Sequence, residues 1–90
     1  MTSMPIDEFE SHYMKVYGTD KCFNRTRCKF EEDQAALIRV KNAEDNYYHV
    51  EVIGFDEIEF NRHTYEFCKD DEVVARVSRT IILAIKLKTC

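Results

Sequence analysis

Through the second half of this chain, apolar and polar residues alternate with period two in short runs separated by polar turns. Ile58-Glu59-Phe60, Thr64-Tyr65-Glu66-Phe67 and residues 81–88 show it most clearly. Successive side chains on a strand point to opposite faces, so the pattern describes a sheet with one dry face and one wet face. The runs are two to five residues apart. Connections that short join antiparallel neighbours, because a parallel crossover needs a dozen residues or more.

Read in order, the first strand runs from about Ala36 to Lys41, where Ile38 and Val40 alternate with Arg39 and Lys41. The next covers 47–53 across a turn at 42–46. Tyr48, Val50 and Val52 share its apolar face and Gly54 ends it. Strands at 55–60 and 64–68 follow, with turns at 61–63 and 69–71. Val73, Ala75 and Val77 then share one face, and Ile81, Leu83, Ile85 and Leu87 share another. The stretch 19–33 admits a long loop, a loop with one short strand, or the lead into a helix, since 31–37 has helical propensity.

Residues 4–17 read as a helix. Ile6, Phe9, Tyr13 and Val16 form one apolar stripe, with Ser3 as N-cap and Pro5 in the first turn. Asp7 and Glu8 suit the positive end of the helix dipole, Lys15 the negative end, and Gly18 a stop. A sheet with one apolar face needs a cover, and this stripe offers one. The expected fold is therefore α+β, a helix laid on an antiparallel meander of five or six strands. The alternative is a small closed β-barrel with a flanking helix. Ninety residues leave room for a single domain, 1–90.

The composition, 44 % hydrophobic and 33 % charged with two glycines and one proline, excludes a disordered or low-complexity chain. The formal charge of −4 argues against non-specific attraction to nucleic acid. That charge is uneven: residues 51–72 carry −6, whereas 20–30 carry +3. The acidic stretch keeps a small protein soluble or meets a basic partner. No secretory leader and no run of 18 apolar residues is present, so a cytoplasmic protein without a membrane span is expected. In that compartment Cys22, Cys28, Cys68 and Cys90 are expected as thiols.

Motifs for chemistry are weak. Cys22 and Cys28 are spaced C-x5-C, outside the C-x2-4-C spacing of structural zinc, so no metal is expected. His63 with Cys68 is the nearest approach to a nucleophile and base, but such pairs arise by chance. Glu57, Glu59 and Glu66 could act as paired carboxylates, yet they occupy the polar positions of alternating strands. With two glycines there is no phosphate cradle, and no cofactor is expected.

The one local anomaly is 21–30, where Lys21, Arg25, Arg27 and Lys29 interleave with Phe23 and Phe30. Phe23 with Lys21, Arg25, Arg27 and Lys29 could dock on an acidic protein, or stack on bases and grip phosphates. The leading expectation is a small non-enzymatic interaction module, a regulator or inhibitor that occupies a partner protein's surface. The alternative is a β-barrel that binds nucleic acid through the 21–30 loop. The last strand, with Ile82 and Ala84 on its wet side, suggests a homodimer seam. The small size would suit a phage or mobile-element protein.

Overall fold

The two longest strands, Thr26–Lys41 and Tyr47–Phe60, have 16 and 14 residues. Straight, the longer would span about 53 Å, yet the molecule extends only 34 × 30 × 25 Å. This ribbon must bend, and the bend organises the fold. The computed structural model describes residues 3–17 and 26–90, with side chains for 3–12 and 27–90. Its elements are β1 (Met4–Pro5), α1 (Ile6–Tyr17), β2 (Thr26–Lys41), β3 (Tyr47–Phe60), β4 (Thr64–Lys69), β5 (Glu72–Ser78), a 3-10 turn (Arg79–Ile81) and β6 (Ile82–Thr89).

The bend comes from irregular pairing. Lys29 faces Glu57 and Gln34 faces Phe55, so 30–33 on β2 oppose the single residue Asp56 on β3. One step further, Gln34 faces Phe55 but Ala35 faces Ile53, leaving Gly54 unpaired. Gly54 has φ +79°, where an L side chain costs roughly 1–2 kcal/mol. Extra residues on one strand bend it and re-aim its side chains. Here the Phe55 ring stands between two others, its centroid 6.2 Å from that of Phe30 and 5.0 Å from that of Phe67. Gly54 is thus a bulge within one long strand, which corrects the reading of two strands ending and starting there. Similarly β2 begins at Thr26, ten residues before the expected start, because the bulge at 30–33 hides its alternation.

The ribbon divides the antiparallel sheet into two leaves. The first half, Thr26 to Lys29 against Glu57 to Phe60, carries β4 and then β5. The second, Gln34 to Lys41 against Tyr47 to Phe55, carries β6 and then β1. The order is β1-β6-β2-β3-β4-β5. Strands β2 to β5 form the expected meander, but β6 leaves it and returns beside β2. The sheet stays open, with β1 and β5 at its two ends, so the closed-barrel alternative does not hold.

Helix α1 begins at Ile6, not Met4. Met4 and Pro5 instead pair with Ile85 and Ala84 on β6. Pro5 suits an edge strand, where no further neighbour asks for its missing N–H. Phe9 is buried against the first leaf, its ring 6.1 Å from Phe60 and 6.4 Å from Tyr65, while α1 also packs on β6 of the second leaf. The expected contacts of Tyr13, Lys15 and Val16 and the stop at Gly18 lie outside the described residues. One continuous core joins Phe9 to Cys28, Ile38, Val40, Val52, Phe55, Ile58, Phe60, Tyr65, Phe67, Ile85 and Leu87. Each large side chain there contributes about 1.5–3 kcal/mol by leaving water.

Two further bulges change which residues point inward. Arg39 faces Ala84 while Val40 faces Ile82, so Leu83 is the extra residue of β6. The buried set is therefore Ile82, Ile85 and Leu87, whereas Ile81 and Leu83 are half-buried. Ile82 lies in the core and offers no seam, and β6 runs between β2 and β1. On β5, Phe67 faces Ala75 and Cys68 faces Val73, so Val74 bulges and both valines are exposed. The β4–β5 hairpin turns on Asp70 and Asp71, at φ +52° and +66°. Two successive left-handed residues are the mark of a type I′ turn, whose twist matches that of the strands.

Candidate interaction face

On the outer surface of the first leaf, Arg27 faces Glu59, Glu59 faces Glu66, and Glu66 faces Arg76. This makes one row of charges, plus-minus-minus-plus, across four strands. Arg76 Nε lies 2.6 Å from Glu66 Oε2. The Arg27 guanidinium lies 3.9 Å from both Glu57 and Glu59. The carboxylates that resembled a hydrolytic pair are thus each tied to an arginine. For the same reason Arg27 is not an uncompensated cation for a partner's phosphate. Lys29 is exposed on the same strand, while Lys21, Phe23 and Arg25 lie outside the described residues. The first leaf therefore supplies two members of the expected binding set, one already neutralised.

The outer surface of the second leaf is different. Register places Lys88, Ala35 and Ile53 in one row and Lys86, Leu37 and Glu51 in the next. Ala84, Arg39 and His49 form a third row, and Lys41 faces Tyr47 at the end. Leu37, Tyr47 and Ile53 are 40, 58 and 64 % exposed, unusually open for large apolar groups. Arg39 stands 5.3 Å and Lys41 Nζ 5.9 Å from the centroid of Tyr47. Lys41 also pairs with Asp45 at 3.0 Å. A shallow depression of about 130 Å³ lies beside Leu37, lined by Ala35, Ala36, Glu51, Lys86 and Lys88. The face joins an apolar centre to four cations and one acid.

Neither half of this face is visible in a linear reading. Arg39-Val40-Lys41 and Lys86-Leu87-Lys88 each alternate around a buried residue, as ordinary wet faces do. Only β2–β6 pairing sets them side by side. The signal available in the sequence was the shared cation-x-cation spacing of two separate strands.

Other candidates for chemistry separate in space or are held in structural contacts. His63 sits in the turn before β4 and Cys68 near its far end, roughly 15 Å away along an extended strand. Burial, then Glu57, Glu59 and Glu66, push the Cys68 thiol pKa up, which opposes thiolate formation. Cys28 lies in the core, Cys90 is exposed, and Cys22 lies outside the described residues. Among the described residues no group of three or more His, Cys, Asp or Glu is placed to hold a metal ion. None of their helices is long and apolar enough to cross a membrane.

Two polar clusters fix the leaves. Lys69 Nζ lies 2.7 Å from Asp33 Oδ1 and 3.7 Å from Asp56, tying β4 to the bend. The hydrogen bond to Asp33 raises the Lys69 pKa. Cys90 N–H donates to the Asp33 carbonyl at 2.9 Å, so the end of β6 is fastened there too. At the other end, Glu10 of α1 accepts two hydrogen bonds from Arg79, Nε at 2.6 Å and Nη2 at 2.8 Å. Glu10 Oε2 also accepts a hydrogen bond from the buried Tyr65 hydroxyl. Burial first, and Glu10 second, drive the Tyr65 pKa far above its ordinary value.

No family model matches the chain, and no curated protein and no solved structure matches it.

Proposed function

We propose that this chain is a non-enzymatic interaction module that docks its second leaf on an apolar, acid-rimmed protein surface, regulating or inhibiting by occupancy. One observation carries the reading: Leu37 stands exposed among Arg39, Lys86 and Lys88, with Tyr47 and Ile53 at the margin. Protein interfaces combine an apolar centre with a polar rim, and tyrosine and arginine are enriched at their energetic centres. Arg39, Lys86 and Lys88 complement an acidic rim, although the chain as a whole is acidic and Lys41 is paired with Asp45. The basic face replaces the 21–30 loop as the proposed contact surface.

A second reading rests on Tyr47 standing between Arg39 and Lys41, since an exposed ring flanked by cations can stack on a base while they meet phosphates. The test compares the parent protein with Leu37→Asp and Lys86→Glu, both on the face, and with Arg76→Glu on the other leaf. Immobilised on beads, each is exposed to nuclease-treated lysate of its host and to labelled single-stranded oligonucleotides. A protein retained by the parent and Arg76→Glu but lost with both face variants supports docking. Oligonucleotide binding that falls steeply with salt and with Lys86→Glu, without such a protein, replaces it with the nucleic-acid reading.

A further inference from the structure

Unpaired strand edges are templates for pairing, and folded proteins blunt them with charges, prolines, bulges or covering segments. Most edges of this sheet are treated that way. Strand β5 carries a bulge at Val74 and the ion-paired Arg76, and β6 is covered at Ala84 and Ile85 by Met4–Pro5 and carries Lys86 and Lys88 beyond. The N-terminal half of β3 is not. Strand β4 covers β3 only from Glu57 to Phe60, so Tyr47 to Ile53 has β2 on one side and no strand among the described residues on the other. Those seven residues, Tyr-Tyr-His-Val-Glu-Val-Ile, contain no proline, lysine or glycine, and Gly54 with its bulge marks where the edge stops. Tyr47, Tyr48 and Ile53 are among the most exposed large apolar groups.

We infer that this edge pairs with the same edge of a second copy, antiparallel about a two-fold axis through Val50. Such an axis stands perpendicular to the sheet and leaves each side chain on its own face. Only registers that set like-facing residues opposite one another are then available. Centred on Val50, all seven residues are used, and every pair is favourable. His49 faces Glu51 of the second copy twice, an imidazole N–H donor against a carboxylate. Tyr47 faces Ile53 on the outer side, and Tyr48 faces Val52 on the inner side. Aromatic against β-branched, and donor against carboxylate, are stabilising cross-strand pairs. Centred on Glu51, two carboxylates would meet and Tyr48 would face Gly54. Centred on His49, Tyr47 would face Glu51 and Ile53 would have no partner in the free stretch. The two-fold consumes one edge of each copy and closes, so it gives a dimer and not a filament. It also sets the two second-leaf faces side by side on one continuous surface, whatever those faces bind.

Sedimentation at micromolar concentration, with circular dichroism to confirm folding, tests the pairing. The parent should sediment at twice the 10.7 kDa of one chain. His49→Glu makes two like-charged pairs and should raise the dissociation constant about tenfold. Adding Glu51→Lys to that variant should restore the parent value, because the charges are again opposite. Under mild oxidation Val50→Cys should cross-link to itself, since directly opposite residues have Cα atoms about 4.5–5.5 Å apart, within disulfide range. Tyr48→Cys should not, as its copy lies about 13 Å further along the strand. Peptide mapping separates either link from those of the native cysteines. A monomer at all concentrations overturns the inference. So does a dimer indifferent to His49→Glu, or one that cross-links at 48 and not at 50.

Discussion

Replacing Arg79 with methionine isolates the contact that fastens the helix to both leaves. Glu10 lies on α1, Arg79 on the turn between β5 and β6, and Tyr65 on β4. The Glu10 side chain is 9 % exposed and that of Arg79 is 32 % exposed. Removing one partner of a buried ion pair costs about 3–5 kcal/mol, chiefly because the remaining charge keeps its desolvation without its partner. Water reaches Arg79, so the expected loss is smaller, about 2–3 kcal/mol. For a domain of this size each kcal/mol lowers Tm by about 4–8 °C, giving a fall of about 8–24 °C. Glu10→Met with Arg79→Met removes both charges and should recover most of the loss. Tyr65→Phe should cost about 1.5–3 kcal/mol in the parent, where its hydroxyl meets a carboxylate. In the double variant it should be neutral or stabilising, because the buried hydroxyl then has no acceptor. Urea unfolding followed by circular dichroism measures all four. If Arg79→Met alone costs no more than the double variant, the cluster does not hold the helix as argued.

Stability should fall in alkali. The unfolded chain loses its Tyr65 proton near pH 10 while the folded chain keeps it. The unfolded state then binds fewer protons, so stability is complete below that pH and declines by about 1.4 kcal/mol per unit above it. Tyr65→Phe should flatten this slope in urea melts taken across pH 9–12. Cys68 acts in the same direction from slightly lower pH, and Cys68→Ala should move the onset upward. Gly54→Ala should destabilise by roughly 1–2 kcal/mol although no atom lies within 4 Å of the added methyl group, because the cost is conformational. Asp71→Gly should stabilise by about 0.5–1 kcal/mol, since φ is +66° there and an aspartate is the poorer occupant. Thermal melts check both.

How much of this was legible depends on where the alternation is interrupted. Strands β4 and β5 lie within a residue or so of their expected limits, because their turns are short and the inward Tyr65 and Phe67 of β4 are large. The bulge at Val74 nevertheless takes Val73 off the apolar face expected for β5. The second half of β2 and the first half of β3 pair as expected across the 42–46 turn, where the Asn42 side chain accepts the N–H groups of Glu44 and Asn46. The errors cluster at bulges. Each adds one or more residues, shifts the phase, and makes a continuing strand look like an end, as at Gly54, or an outward residue look inward, as at Leu83. A helix start at Met4 was favoured by Pro5, but local propensity yields where a two-residue bridge to β6 can form. The basic face depends on which strand pairs with which, and single-strand patterns carry no information on that. Arg27 was visible as a cation, whereas Glu57 and Glu59, which neutralise it, are remote in sequence and become neighbours only through β2–β3 pairing.

The return of β6 to the side of β2 fixes an order of events for a chain emerging from the ribosome. The β2–β3 hairpin closes on a five-residue loop, and β4 and β5 follow through still shorter turns. Local closures of this kind take microseconds, far faster than synthesis at about 5–20 residues per second. Ile38, Val40 and Phe9, however, belong to a core that also needs Ile82, Ile85 and Leu87. Until β6 has been made, the edge of β2 from Gln34 to Val40 has no neighbour and the helix has nothing to bridge. The second leaf therefore cannot be completed before residues 82–89 are available to pair. Until they pair, this edge of β2 is a template for association with other chains.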